Sequence, residues 1–593
     1  MTTLSNDPAQ FAEDALKGFA DVYRNLVVQV PGGVVRSSSR PGKAAVVIGG
    51  GSGHYPAFCG LVGPGLADGA VVGNVFTSPS AADVVSVARR ASQGSGVLLL
   101  TGNYAGDVMN FTMAQRQLAS DGIDARYVVV TDDIASAPKG QESLRRGIAG
   151  DLPVFKIAAA AAEAGCDLDY VERVALRAND VTRTLGVAFD GCTLPGATQP
   201  MFTVPAGRMG IGVGIHGEPG IGETEMPPAA ELARILVGRV LEEAPRCGPA
   251  RAAVILNGLG RTKYEELFVL WATVAALLRE AGITIVEPDV GELVTSLDMA
   301  GCSLTVTWLD DELETFWCAP CATPAYRKGT FVSEQTLSTP VLNDSGVAAV
   351  DPEKDIEPQT NAEHQARTGA SDRSRSQAAI VVSLIEAAEQ AIRRSEDELG
   401  KLDAIAGDGD HGRGMVRGVG AATEAARTAL ADGAGTREVL VRAGQAWAGR
   451  AGGTSGVLWG AMLEAAGNTI GDDEDFWRRW EEDPTAVVAH AVEAAVAAVR
   501  ALGKAELGDK TLLDALAPLQ DSLHRSGGQR PVEAWTTAAA AATKAAKDTA
   551  ALRPRLGRAR PLAEQSVGHP DPGAVSLALI AAAVGEEARA LAG

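Results

Sequence analysis

Residues 44–58, AAVVIGGGSGHYPAF, decide how the first half of the chain is read. Five apolar residues of strand length run straight into a glycine-rich loop that ends on a histidine. Glycine lets the backbone approach a ligand closely and offer its N–H groups. The loop is not a Walker motif, because no Gly-Lys-Ser/Thr follows. Similar runs recur at 96–103 (GVLLLTGN), 125–133 (ARYVVVTDD) and 251–258 (RAAVILNG), each ending in Gly, Asn or Asp before a helix-like segment. This alternation predicts α/β architecture with a mostly parallel sheet, in two α/β subdomains, the second beginning near residue 180. In open parallel sheets ligands bind beyond the carboxyl ends of the strands. His54 follows one strand, and Asp107, in GNYAGDVMNF (102–111), follows another. His216 sits in RMGIGVGIHGEPG (208–220), which alternates like a strand stopping at that histidine.

Residues 336–376 are polar, aperiodic and rich in Ser and Pro, as a linker is. Beyond them the chain is Ala-rich with helical periodicity and Gly turns, predicting an all-α bundle or barrel. The expected domains are therefore 1–335, a linker at 336–376, and 377–593. The second domain carries KLDAIAGDGDHGRGM (401–415), with Asp403, Asp408 and Asp410 around a glycine turn. Carboxylates this close repel one another unless a cation joins them, and hard oxygen donors suit Mg²⁺. The spacing is not that of an EF-hand. In AGGTSG (451–456), Thr454 and Ser455 lie in a Gly-rich turn suited to phosphate oxygens.

The formal net charge of −21 argues against nucleic-acid and anionic-membrane partners, which need clustered Lys and Arg. No stretch is read as a membrane span, and the N-terminus has no apolar signal core. Seven mostly isolated cysteines suit a reduced, cytoplasmic setting. Cys318 and Cys321 form a CxxC without the partners that a zinc site requires.

GGGSGH, NYAGD and GIHGEPG, in this order, resemble the substrate domain of the dihydroxyacetone kinase family, and the resemblance spans essentially the whole chain. It implies an ATP-dependent kinase of short ketoses that uses ATP and Mg²⁺. His216 would form a hemiaminal with the substrate ketone, His54 and Asp107 would handle the hydroxyl proton, and Gly51, Ser52 and Gly53 would line the ketose. In the helical domain the family signature implies metal binding by Asp403, Asp408 and Asp410. It implies ATP binding by Gly409, Asp410, His411, Gly412, Thr454, Ser455, Gly503, Thr511, Leu512, Asp571, Pro572 and Gly573. A homodimer is also implied.

The chain departs from the usual pattern at Tyr55, Phe58, Asn74 and Gly102, where Gly102 replaces a lysine. The pattern around 48–81 resembles the erythrulose kinases of the family, and the lost lysine is expected to open room for a fourth carbon. D-erythrulose, phosphorylated at its C4 hydroxyl, is the expected substrate. Dihydroxyacetone and L-erythrulose stand as alternatives. So does a non-enzymatic ketose sensor, although a sensor has no need of the three aspartates. A phosphotransferase-system relay and a lyase activity on FAD are further alternatives.

Overall fold

The computed structural model describes residues 4–245, 250–329, 370–407, 409–557, 559–560 and 562–592. The chain divides into two compact units, one over Met1–Gly329 with Gly452–Val457 and Gly557–Ala563, and one over the rest of the helical half.

The first unit contains two large sheets and a two-stranded one that pairs Cys321–Ala322 with Arg327–Lys328. Strands β1 (Val27–Val30), β2 (Gly33–Arg36), β3 (Ala45–Ser52), β4 (Gly69–Val75), β5 (Val97–Gly102) and β6 (Ala125–Val130) form a sheet of order β1-β2-β4-β3-β5-β6. Its β4-β3-β5-β6 body is parallel, and β1 and β2 add an antiparallel edge. The second sheet comprises β7 (Thr182–Asp190), β8 (Arg208–Ile211), β9 (Gly222–Glu225), β10 (Arg251–Gly258), β11 (Thr284–Ile285), β12 (Asp289–Gly291) and β13 (Ala300–Trp308). Here the expected parallel pairing is confined to β10 with β11 and β12; the path β10-β13-β7-β8-β9 is antiparallel. A hairpin loop joins β8 to β9, where a parallel neighbour would have needed a helical crossover.

Side-chain alternation assigns the layers. Val46, Ile48, Leu98 and Leu100 face a core that also holds Ala253 and Ile255 of the second sheet. Their sequence neighbours Val47 and Leu99, and Val254 and Leu256, face separate cores on the outer sides. Between the sheets lies the helix Asp151–Glu163, DLPVFKIAAAAAE, almost wholly buried. A helix apolar all round must be covered all round. The order is thus helices, sheet, helices, sheet, helices.

From residue 370 onward the described residues form helices and no strands. The helix Asp372–Arg394 starts within the expected linker, capped by Ser371 through the Ser374 N–H; residues 336–369 lie outside the described residues. Small residues set the helix spacing: a Cβ on Gly418 would lie 2.5 Å from Trp447 Nε1, and Trp447 stacks on Trp459 at 4.9 Å. The helix Pro484–Gly503 is long and apolar enough by composition to cross a membrane, which the sequence reading overlooked. In this unit its buried face, including Val487, Val492, Val496 and Val499, belongs to a helix packed on Leu513–Arg525.

Candidate active site

Two histidines from different sheets meet in the first unit. His54 follows β3. His216 lies in the β8–β9 loop, since β8 stops at Ile211 and does not continue to the histidine as its alternation suggested. Gly212, at φ +74°, turns the chain out of the strand. The Nε2 atoms of the two imidazoles stand 3.0 Å apart, with the rings nearly perpendicular at 81°.

The outer nitrogen of each ring is fixed by an acceptor. His54 Nδ1 is 2.7 Å from the Thr295 carbonyl oxygen, which can only accept, so Nδ1 carries the proton. His216 Nδ1 is 3.1 Å from Glu218 Oε1. Burial would raise the Glu218 carboxyl, but His216 and Arg146 outweigh it and hold the group well below the usual range. Glu218 is therefore an acceptor, and His216 Nδ1 is also protonated. Both Nε2 lone pairs then point at one spot, and in the ligand-free molecule a proton must lie between them. Burial first, then His216, pushes His54 down to about 3.

The surroundings exclude water. His54 is 2 % exposed and stacks on Phe76 at 5.0 Å. Tyr104 meets His216 edge-on at 4.7 Å. Gly53, at φ +101°, has no room for a side chain, because a Cβ would reach within 2.7 Å of the Phe76 ring. Gly51 and Ser52 close the end of β3, with the Ser52 hydroxyl donating to the Gly73 carbonyl. The loop that carries Thr295 and Leu297 pairs with this turn through Thr295 N–H to His54 O and Leu297 N–H to Gly53 O. Asp107 is buried in the first turn of the helix Ala105–Ser120, three residues beyond Tyr104.

The four departures from the family pattern do not act as expected. Gly102 opens no volume: a Cβ there would sit 3.1 Å from both the Gly147 carbonyl oxygen and Tyr104 Cε2. Tyr55 is 46 % exposed and leans on Phe19, and Asn74 turns its Oδ1 onto the Val75 N–H. Only Phe58 borders the histidines, 6.5 Å from the His54 ring.

In the helical unit the predicted residues gather at helix ends. Asp403 ends Glu396–Asp403, and Asp410 immediately precedes His411–Ala431. The turn between them, through Gly409 at φ +75°, brings Asp403 Oδ2 within 3.3 Å of the His411 N–H. Burial, then Asp403, raises the Asp410 carboxyl. His411 Nε2 lies 3.1 Å from Ser576 Oγ, and burial pushes its imidazole down to about 4. Gly412 packs under the Glu396 carbonyl.

Asp571 caps the helix Pro572–Ala592 through the Ala574 N–H, and burial pushes its carboxyl up to about 7, with Asp514 and Asp403 adding to the effect. Thr511 donates its N–H to Asp514, and Leu512 lies against Gly573. Gly503 ends its helix beside Leu458. Thr454 and Ser455 lie in the first turn of the helix Gly453–Ile470. Asp408 lies outside the described residues.

Crowded hard-oxygen donors that raise one another's affinity for protons fit a divalent cation of the magnesium class. Among the described residues no three ligands form a complete metal group.

Sequence reasoning missed Glu218, Tyr104, Thr295 and Lys510. The first two lie inside the quoted motifs and could have been found there. Thr295 has no local signal. Lys510, whose Nζ donates to the Ser566 carbonyl, counters Asp571 from a turn read only for its threonine.

The Dak1 domain matches residues 17–325 and the DAK2 domain residues 405–586. The chain belongs to the dihydroxyacetone kinase family. Within the family it is 58 % identical, over 99 % of its length and 98 % of the relative's, to the D-erythrulose kinase of Mycolicibacterium smegmatis. It is 50 % identical, over 99 % of both chains, to the L-erythrulose 1-kinase of the same organism. The crystal structure of the C. freundii dihydroxyacetone kinase in complex with AMP-PNP and Mg²⁺ matches with a TM-score of 0.51 at 30 % identity, over 98 % of this chain and 99 % of that one.

Proposed function

We propose that the chain is an ATP-dependent kinase of a short ketose, D-erythrulose first, phosphorylated at its C4 hydroxyl. The observation that carries this reading is the pair of Nε2 atoms 3.0 Å apart, each with its outer nitrogen locked. A nucleophile and a base that face one spot suit a substrate carrying both a ketone and a hydroxyl. His216 Nε2 adds to the ketone carbon, which fixes a small polyol that offers little surface for binding and rejects polyols lacking a carbonyl. His54, kept neutral by burial and by its bond to Thr295, accepts the proton of the attacking hydroxyl. Asp107, at a helix N-terminus, assists in that proton handling. Gly51, Ser52 and Gly53 line the ketose.

In the helical unit Asp403, Asp408 and Asp410 would hold Mg²⁺, which when bound neutralises the charge of the triphosphate. Thr454 and Ser455 present a helix first turn to phosphate oxygens. Gly503, Thr511, Leu512, Asp571, Pro572 and Gly573 line the remainder of the nucleotide. A cytoplasmic homodimer completes the reading; light scattering on the purified protein tests the dimer.

D-erythrulose is favoured by the 58 % identity to the D-erythrulose kinase against 50 % to the L-erythrulose 1-kinase, and not by any volume freed at Gly102. A panel of dihydroxyacetone, both erythrulose enantiomers and glyceraldehyde with Mg·ATP tests the reading. Turnover of a ketose with ATP alone supports a free-standing kinase; ketose binding without ATP consumption supports the sensor.

A further inference from the structure

His216 is gripped from behind by a row of alternating charge. Its backbone N–H lies 3.0 Å from Glu218 Oε2 and its Nδ1 3.1 Å from Oε1. Arg146 Nη1 is 3.7 Å from Glu218 Oε2, while its Nη2 is 2.7 Å and its Nε 3.0 Å from Asp133 Oδ2. Arg146 Nη2 also donates to the Gly212 carbonyl, at the turn that leads into the His216 loop. The loop closes through the Gly214 N–H to the Glu218 carbonyl, and a Cβ on Gly214 would lie 2.1 Å from Glu218 Oε2. The loop is thus shaped around this carboxylate. Such a buried row is costly to break at one member, because a charge is left without its counter-charge.

We infer that Glu218 and Arg146 are positioning residues for His216. Glu218 fixes the tautomer that leaves Nε2 to react and sets a counter-charge where the adduct becomes positive, and Arg146 holds Glu218 in place and ionised. The inference rests on His216 being the ketose-capturing group.

The proton between the imidazoles passes to His54 Nε2. The His216 Nε2 lone pair forms a bond to the ketone carbon, and the C=O π pair moves to oxygen. His54 returns the proton to that oxygen. His216 is left as a substituted imidazolium whose Nδ1–H faces the Glu218 carboxylate, and His54 is left neutral, ready to accept the hydroxyl proton. The titratable groups that face the His216 ring are His54, Glu218 and Tyr104, with Arg146 and Asp133 behind Glu218.

The test is ¹³C NMR of the full chain with erythrulose labelled at C2, whose resonance leaves the carbonyl region when the carbon becomes tetrahedral on the protein. For Glu218→Gln, which keeps the shape and loses the charge, adduct at fixed ketose is expected to fall about tenfold and KM to rise about tenfold, with kcat lowered less. Arg146→Met should behave alike, and Arg146→Lys should recover most of the adduct. A merely structural role would lower kcat and raise KM together and would not be rescued by the lysine. Wild-type adduct and KM in Glu218→Gln would overturn the inference. If that variant is unfolded by circular dichroism, Arg146→Met against Arg146→Lys decides in its place. A wild-type protein with no tetrahedral C2 signal would instead overturn the assignment of His216 itself, and the inference with it.

Discussion

The row behind His216 and the aspartates of the helical unit handle charge in opposite ways. In the α/β unit Glu218 faces His216 and Arg146, and Arg146 faces Asp133. In the helical unit like charges crowd, with Asp403 raising both Asp410 and Asp571. On the proposed function, the matched row would hold a neutral sugar's capturing group, and the crowded carboxylates would await a cation. A covalent trap requires fixed lone pairs; a phosphoryl donor site requires a place for metal charge.

The sharpest way to break this comparison is Asp410→Asn. Turnover should fall by at least about a thousandfold while the tetrahedral ketose adduct persists, because the carboxylate serves only the donor. Equal loss of ketose and nucleotide binding in calorimetry would show that the two sites are not chemically separate. His216→Ala should abolish the adduct in intact-protein mass spectrometry and leave Mg·ATP binding unchanged; an adduct surviving on the variant would move the nucleophile elsewhere.

His54→Gln should lower kcat about a hundredfold or more with the adduct still visible, the range expected for loss of a general base. Because burial holds His54 near 3, protonation of this base should not lower kcat between pH 8 and pH 5. A wild-type kcat with an acid limb near 6.5 that vanishes in His54→Gln would contradict that assignment.

Substrate choice gives a smaller effect. kcat/KM for D-erythrulose should exceed that for dihydroxyacetone by about tenfold, the size of one well-placed hydrogen bond or of a stranded polar group. Gly102→Ala should impair both sugars alike, since the Cβ presses on Tyr104 and Gly147 and not on open volume. A selective loss of erythrulose turnover would restore the view that this position sets substrate size.

The smallest effect is on stability. Asp571 has a folded pKa of about 7, above its unfolded value, so its contribution is fully present below about pH 4 and is lost as pH rises through 7. Ligand-free protein should therefore melt lower at pH 7.5 than at pH 5 on this account. Asp571→Asn should flatten that slope by a few degrees in calorimetry, and Mg·ATP should offset part of the loss in the wild type. A slope unchanged by the substitution would remove Asp571 from the crowded set.

The sequence alone determined the elements and their chemistry. Apolar runs ending in Gly, Asn or Asp fixed β3, β5, β6 and β10 because strand length and turn residues are local properties, and the Ala-rich periodicity fixed the helical half for the same reason. Asp403 and Asp410 were legible because a short contiguous turn joins them whatever the rest of the chain does. Only the tertiary structure decided that the second sheet runs largely antiparallel, that β8 stops at Ile211, and that Tyr55 turns outward while Gly102 is filled. It alone decided the pairing of His54 with His216, 162 residues apart in sequence, and the capture of His54 Nδ1 by Thr295, 241 residues away. No local pattern encodes such a contact. It exists because one core packs the inner faces of both sheets on the buried helix Asp151–Glu163 and brings the loops at their ends to one place.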